Sequence, residues 1–289
     1  MDFLTDWLTD WLKELLIGGI MGNLEGLFDY VNTQVGEIAV QVGTTPAAWN
    51  AGVFSLIRQL SETVILPIAG LVLTFVATYE LIQMLLEKNN MHEFDVANIY
   101  KWIFKTACAI FILSNTFNIV MAVFDVGQSI VSSAAGVING STAIDISTTI
   151  AAMETEMETM GIGELLALTM ETALVSLCMK IISILITVVL YGRMIEIYLY
   201  SSVAPVPFAT MTNREWGQIG NNYARGLIAL GFQGFFIMVI VGIYCVLVNQ
   251  MTVAADIHAA LFSIAGYTVV LCFALFKTSA ISRSIFNAH

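Results

Sequence analysis

Long apolar runs alternate with shorter polar stretches along this chain. Five runs are long enough to cross a bilayer, which takes about 20 residues: 63–86, 107–126, 166–191, 226–248 and 257–276. They predict an all-α polytopic membrane protein with about five transmembrane helices. An amphipathic lead-in, 53–61, precedes the first run, which carries Pro67 near one end and Glu80 near the other. Between the runs lie a polar loop (87–102), a small and Ser-rich stretch (127–140) and a polar to acidic stretch (141–163).

The first residues follow a different period. In DFLTDWLTDWLKELLI (2–17), Phe3, Leu4, Trp7, Leu8, Trp11, Leu12, Leu15 and Leu16 recur at helical spacing. Thr5, Asp6, Thr9, Asp10, Lys13 and Glu14 fill the other side, so the stretch predicts an amphipathic helix. Trp suits the headgroup level, which makes Trp7 and Trp11 membrane-interface anchors. The acidic polar face gives no attraction to anionic lipid, and packing on the rest of the chain accounts for the pattern equally well. A second short helix is expected over 24–35, then a loop through 44–46.

One stretch breaks the pattern. Residues 191–236 read YGRMIEIYLYSSVAPVPFATMTNREWGQIGNNYARGLIALGFQGFF. Pro205 and Pro207 each lack an amide donor and bias the preceding residue toward extended backbone, so 203–206 are expected to run extended. Thr212 and Glu215 have capping-box spacing. Asn221 or Asn222 is placed to cap the following span. Arg193 and Glu196, three apart, fit a local ion pair at a helix end.

Charge placement sets the topology. The 87–105 region holds Lys88, Lys101 and Lys105, whereas 106–179 contain no Lys or Arg. The positive-inside rule then makes the first loop cytoplasmic and 127–163 an outer loop. The third span returns inward and delivers Arg193, Arg214 and Arg225, and later Lys277 and Arg283, to the cytoplasm. This works only if 192–225 stays at the cytoplasmic side as a re-entrant or interfacial segment. Irregular backbone at that depth needs protein or water to satisfy its polar groups. The expected layout is an extracytoplasmic region, 1–52, and a transmembrane domain, 53–289. The amino terminus lies outside the cytoplasmic membrane and the carboxyl terminus inside. Lys13 and Arg58 are left outside.

Composition narrows the class further. Only 11% of the 289 residues are charged, against about 25% in soluble domains, and mean hydropathy is +0.83. The net charge of −11 leaves no broad basic footprint for nucleic acid. Cys108, Cys178, Cys245 and Cys272 all fall in apolar runs without CxxC spacing and read as small hydrophobes. The three histidines lie far apart. With no metal-ligand spacing, nucleophile–base pair, phosphate loop or dinucleotide fingerprint, the sequence offers no metal, no cofactor and no enzymatic activity.

Charge inside a span is costly and usually faces a bundle interior or water. Lys180 lies within the third span and Glu171 near its outer end. Nine residues separate them, about 900° around a helix, so they occupy opposite faces and cannot pair. Both are candidates for a lumen-facing or subunit-contact charge. A snorkelling lysine or a structural pair explains them as simply. The alternating METEMETMG run, 153–161, reads as a solvated helical face.

The stretch VPFATMTNREWGQIGNNYARGLIALGFQGFF, 206–236, resembles the TrbL-like polytopic subunit of type IV secretion systems, in the version found on conjugative elements of Gram-positive bacteria. The Trp-containing start and the span–loop–span arrangement over 63–126 are similar to that family as well. The resemblance implies a non-catalytic channel or scaffold subunit that takes part in DNA and protein translocation across the cytoplasmic membrane. It implies several copies around a translocation path, other type IV secretion membrane subunits and cytoplasmic ATPases as partners, and passing contact with single-stranded DNA. Pro205, Pro207, Arg214, Asn221, Asn222 and Arg225 then form the candidate cytoplasmic-side functional segment. Arginines there suit ATPase surfaces or phosphate; simple positive-inside anchoring explains them too. Two rivals stand beside this reading. One is a small-solute transporter or ion channel, in which broken helices line the site. The other is a membrane-remodelling protein acting through residues 1–17.

Overall fold

The computed structural model describes residues 2–86, 96–139, 147–251 and 257–288. Polar stretches 87–95, 140–146 and 252–256, which the sequence pattern makes loops, lie outside the described residues. Helices account for nearly all of the described chain, and no strand occurs among the described residues. They are α1 (Asp2–Gly43), α2 (Pro46–Trp49), α3 (Ala51–Leu60), α4 (Leu66–Leu86), α5 (Val96–Ser114), α6 (Thr116–Asn139), α7 (Ser147–Thr159), α8 (Ile162–Val203), α9 (Pro205–Thr210), α10 (Gly217–Met251) and α11 (Ile257–Ile285).

Six helices among the described residues are long and apolar enough to cross a membrane: Ala51–Leu86, Val96–Ser114, Thr116–Ile138, Ile162–Val203, Gly217–Gln250 and Ile257–Ile285. Their outer surfaces are strongly apolar. Leu71 is 74% exposed on α4 and Phe104 72% on α5. In water such continuous apolar area drives association; a bilayer removes that cost. The chain is an all-α polytopic membrane protein.

The sixth helix arises inside the expected span 107–126, which lies across the junction of α5 and α6. At that junction Ser114 Oγ donates to Ile110 O, Asn115 Nδ2 to Phe111 O, and Thr116 Oγ1 to Ile112 O and Leu113 O. Short polar side chains compete with the helix ladder in this way, and three in a row interrupt it. Beyond the junction α6 continues to Asn139, so 127–139 are helical rather than loop. The acidic run, through Thr159, forms α7.

A second interruption precedes Pro67. Ser61–Ile65 form a π-helical turn, with Leu66 N–H donating to Ser61 O. Pro67 lacks an amide and its ring crowds the carbonyl four residues back, and the wider turn relieves both. Helices α3 and α4 thereby form one long, locally bent element.

The described chain packs as two compact units. The first comprises Met1–Val42, Ser132–Leu190 and Phe236–Lys277; the second comprises Gly43–Val131, Tyr191–Phe235 and Thr278–His289. These are units of packing, whereas the expected boundary at 52/53 concerns the side of the membrane.

In the first unit α1 is one continuous helix, so the expected amphipathic segment and the short helix over 24–35 are parts of one element; the expected loop through 44–46 is present only as Thr44 and Thr45, because Pro46 opens α2. Its buried stripe, Ile20, Leu24, Leu27, Val31, Ile38 and Val42, recurs at helical spacing. Asn23 Nδ2 donates to Thr172 Oγ1 at 3.2 Å, and Tyr30 Oη donates to Met179 O at 3.0 Å, which seats α1 on α8. Trp11 precedes Ile20 by nine residues, about half a turn in net rotation. The exposed Trp7–Trp11 stripe therefore faces away from the buried one, which is why the amphipathic start reads as a separate element. Tyr244 and Thr268 hydroxyls bond at 2.8 Å to tie α10 to α11.

The second unit is built around Val120 and Phe124 of α6, Met194, Ile197 and Tyr198 of α8, and Leu227 and Leu230 of α10. Trp49 packs edge-on to Tyr191 with ring centroids 5.3 Å apart, and Tyr198 Oη donates to Pro46 O at 2.7 Å. Helices α6 and α10 meet backbone to backbone at Gly127. A Cβ there would lie 2.8 Å from Gly231 O, so only glycine permits this approach.

Candidate functional site

The broken segment belongs wholly to the second unit. Helix α8 ends at Val203, Ala204 is right-handed helical (φ −48°, ψ −41°), and Pro205 opens α9. Residues 203–206 are thus a helical turn rather than the expected extended segment. Proline fits the first position of a helix, where its amide would have no partner and its fixed φ suits the turn. Its missing N–H frees Ser201 O, and Ser61 Oγ of the π-turn donates to that carbonyl at 3.5 Å.

Helix α9 then docks on the α4–α5 hairpin. Ala209 is buried with Ala69 and Leu73 of α4 and Leu113 of α5, and Leu66, Ala109 and Val206 pack around them. The small residues at 69 and 209 allow close approach of the helices. Trp102 Nε1 donates to Ala77 O at 3.0 Å and holds the hairpin itself.

The turn after α9 is organised by Asn213, which is only 2% exposed. Its Oδ1 accepts the amides of Glu215 (2.8 Å) and Trp216 (3.1 Å). Its Nδ2 donates to Glu80 Oε2 at 2.7 Å, and Lys105 Nζ donates to Glu80 Oε1 at 2.9 Å. Gln83 Nε2 reaches Glu215 Oε1 at 3.0 Å, and the Trp216 ring meets Phe75 edge-on at 5.8 Å. Glu80 of α4 thus joins α5 to the turn. The buried amide-to-carboxylate bond is the strong member, because a charged acceptor roughly doubles a hydrogen bond. Lys105–Glu80 is solvent-exposed enough to add little.

Asn213 caps the turn in place of Thr212, whose hydroxyl instead donates to Ala209 O. Helix α10 starts at Gly217, so Asn221 and Asn222 lie inside it rather than at its N-terminus. Glu196 pairs with Arg283 of α11 rather than with Arg193. Arg193 is 8% exposed, and its Nε has no hydrogen-bond partner.

The six candidate residues of the segment are spread over its surface. Pro205 is buried in the α9 contact, and Pro207 and Asn222 line one groove with Tyr200 and Arg283. Arg214, Asn221 and Arg225 are exposed. Neither Arg214 nor Arg225 has an ion-pair partner among the described residues. Glu80, Lys105 and Asn213 were not singled out by sequence, although Asn followed two residues later by a backbone turn is an Asx-turn signal.

In the first unit Glu171 Oε2 pairs with His258 Nδ1 of α11 at 2.5 Å. Lys180 is exposed and borders a cavity of about 170 Å³ with Asn23 and Tyr30 of α1. The two charges do not meet. Among the described residues no three His, Cys, Asp or Glu side chains converge as a metal site.

Interruptions from three elements meet in the second unit. Ser61 and Leu66 of the π-turn, Leu113 and Asn115 of the α5–α6 junction, and Pro205 border one cavity of about 20 Å³. That volume holds about one water molecule. Carbonyls at the α5–α6 junction, and Ser201 O at the α8–α9 break, accept from side chains of this same chain.

The sequence model of the TrbL/VirB6 plasmid conjugal transfer-like family matches residues 31–205, more than half of the chain. The match stops at the proline that opens α9, so the turn and GNNYARG lie beyond it. No curated protein and no solved structure matches the chain.

Proposed function

The chain belongs to the TrbL/VirB6 plasmid conjugal transfer-like family, and we propose that it is a non-catalytic channel or scaffold subunit of a type IV secretion machine. The observation that carries this reading is the Asn213–Glu80–Lys105 clamp. It fixes the broken segment on a membrane hairpin while Arg214 and, beyond the turn, Arg225 stay exposed and unpaired. A rigid mount with free guanidinium groups suits a docking surface for cytoplasmic ATPases, other membrane subunits or passing phosphate of single-stranded DNA. Several copies surround the translocation path in this reading. The amino terminus is outside and the carboxyl terminus cytoplasmic, with α5 and α6 acting as one crossing bent at Asn115.

The test is conjugal transfer by cells carrying Arg214→Ala with Arg225→Ala. Transfer frequency falls at least tenfold at unchanged protein level. Normal transfer at normal protein level removes the role.

The transporter reading gains from the three interruptions, because broken helices line many solute sites. It loses more from their chemistry. A coordination site needs free carbonyls, and here hydroxyls and an amide already occupy them. Solute-dependent uptake by the purified protein alone in vesicles would favour transport instead.

A further inference from the structure

A groove of about 460 Å³ opens on the second unit beside the broken segment. Leu199 and Val203 of α8, Pro207 of α9 and Ile219 of α10 make its apolar side. Leu199, Val203 and Ile219 are also exposed on the outer surface, so the groove opens where lipid chains lie. Arg283 stands in its wall, with its guanidinium 5.5 Å from the centroid of the Tyr200 ring. Tyr200 stacks on Tyr223 at 5.6 Å, and Tyr223 Oη donates to Tyr200 O. Gly226 lies under that ring. A Cβ there would come within 3.3 Å of Tyr200, so glycine lets the aromatic wall lie flat.

Charge at this end of the groove does not balance. Arg283 pairs with Glu196. Arg193, one turn back on the same helix, senses the same carboxylate, yet its buried Nε has no partner. Glu196 pairs with Arg283 and is also the nearest influence on Arg193, so these three groups carry one net positive charge next to the groove's Arg283. Cations held away from water are stable when an anion completes them. We propose that the groove binds an anionic glycerophospholipid, with its phosphate at Arg283 and an acyl chain along Leu199, Val203 and Ile219. Free phosphate would leave the apolar trough without a purpose, whereas a lipid uses both ends. Basic pockets between membrane helices take anionic headgroups by this same chemistry.

The test uses the full chain, purified in detergent after reconstitution into phosphatidylcholine with or without phosphatidylglycerol. Native mass spectrometry counts the phospholipid retained per chain. Phosphatidylglycerol is retained and phosphatidylcholine is not. Arg283→Gln lowers occupancy about tenfold, as does Val203→Trp, which fills the trough from an exposed position and leaves the charges intact. Circular dichroism and gel filtration confirm that Val203→Trp remains folded. Three outcomes overturn the proposal: equal retention of both lipids, displacement of the lipid by millimolar inorganic phosphate, or lipid retention unchanged in folded Val203→Trp. If Val203→Trp instead breaks an oligomer while lipid stays bound, the groove seats a second copy and the proposal is wrong.

Discussion

Asn213 donates its side-chain amide to the Glu80 carboxylate across 2.7 Å, joining residues 133 positions apart. The same side chain caps the turn that leads into α10, so one residue sets both the shape of the broken segment and its seat. Glu80→Ala leaves a buried amide without an acceptor and costs about 1–3 kcal/mol. Glu80→Gln retains an acceptor and costs less. Lys105→Ala costs under about 1 kcal/mol, because the lysine end of that ion pair is 44% exposed. Unfolding midpoints in detergent should fall in that order, and equal losses for Glu80→Ala and Lys105→Ala would show that the amide bond is not the stronger one.

The α6–α10 contact is asymmetric. Alanine at 127 would place its Cβ 2.8 Å from a backbone oxygen, but alanine at 231 would meet nothing closer than 3.6 Å. Backbone cannot move aside as a side-chain tip can. Gly127→Ala therefore costs about 1–3 kcal/mol, and Gly231→Ala stays within about 0.5 kcal/mol of neutral. Melting of the two single variants compares them directly. Equal stability would mean the helices part freely.

Proline at 205 holds the break open. Pro205→Ala with Pro207→Ala restores both missing amides, one of which can reclaim Ser201 O, and removes about 3 kcal/mol per proline of penalty against a continuous helix. Part of the population then runs α8 straight through and draws Ala209 away from Leu73. A cysteine pair at 73 and 209 reports this as reduced crosslinking. Unchanged yield would show that packing on α4 and α5 keeps the bend by itself.

Membrane topology is read by labelling single cysteines in intact cells. Gly140→Cys reacts with an impermeant reagent from outside, whereas Arg214→Cys and Asn287→Cys react only after permeabilisation. Labelling of position 140 only from inside would reverse the five-crossing arrangement.

The long apolar runs made the membrane class legible, because bilayer thickness imposes a length that composition alone displays. Pro205 likewise marked where the chain breaks. Its local shape was not legible, since proline at the first turn of a helix and proline in an extended segment look alike until the neighbour that accepts the break is known. Here that neighbour is Ser61, 140 residues earlier. Arg193 shows the same limit. Spacing favours Glu196, but Arg283 of α11 takes that carboxylate from another helix. Only the Ser114–Asn115–Thr116 run carried a local warning, three hydrogen-bonding side chains inside an apolar stretch.

Those closed carbonyls bear on more than shape. A bare carbonyl at a bend draws in water, and a file of water conducts protons. Because Ser61, Ser114, Asn115 and Thr116 already donate to these carbonyls, and the cavity between them holds about one water molecule, the bends leave no room for a file of water.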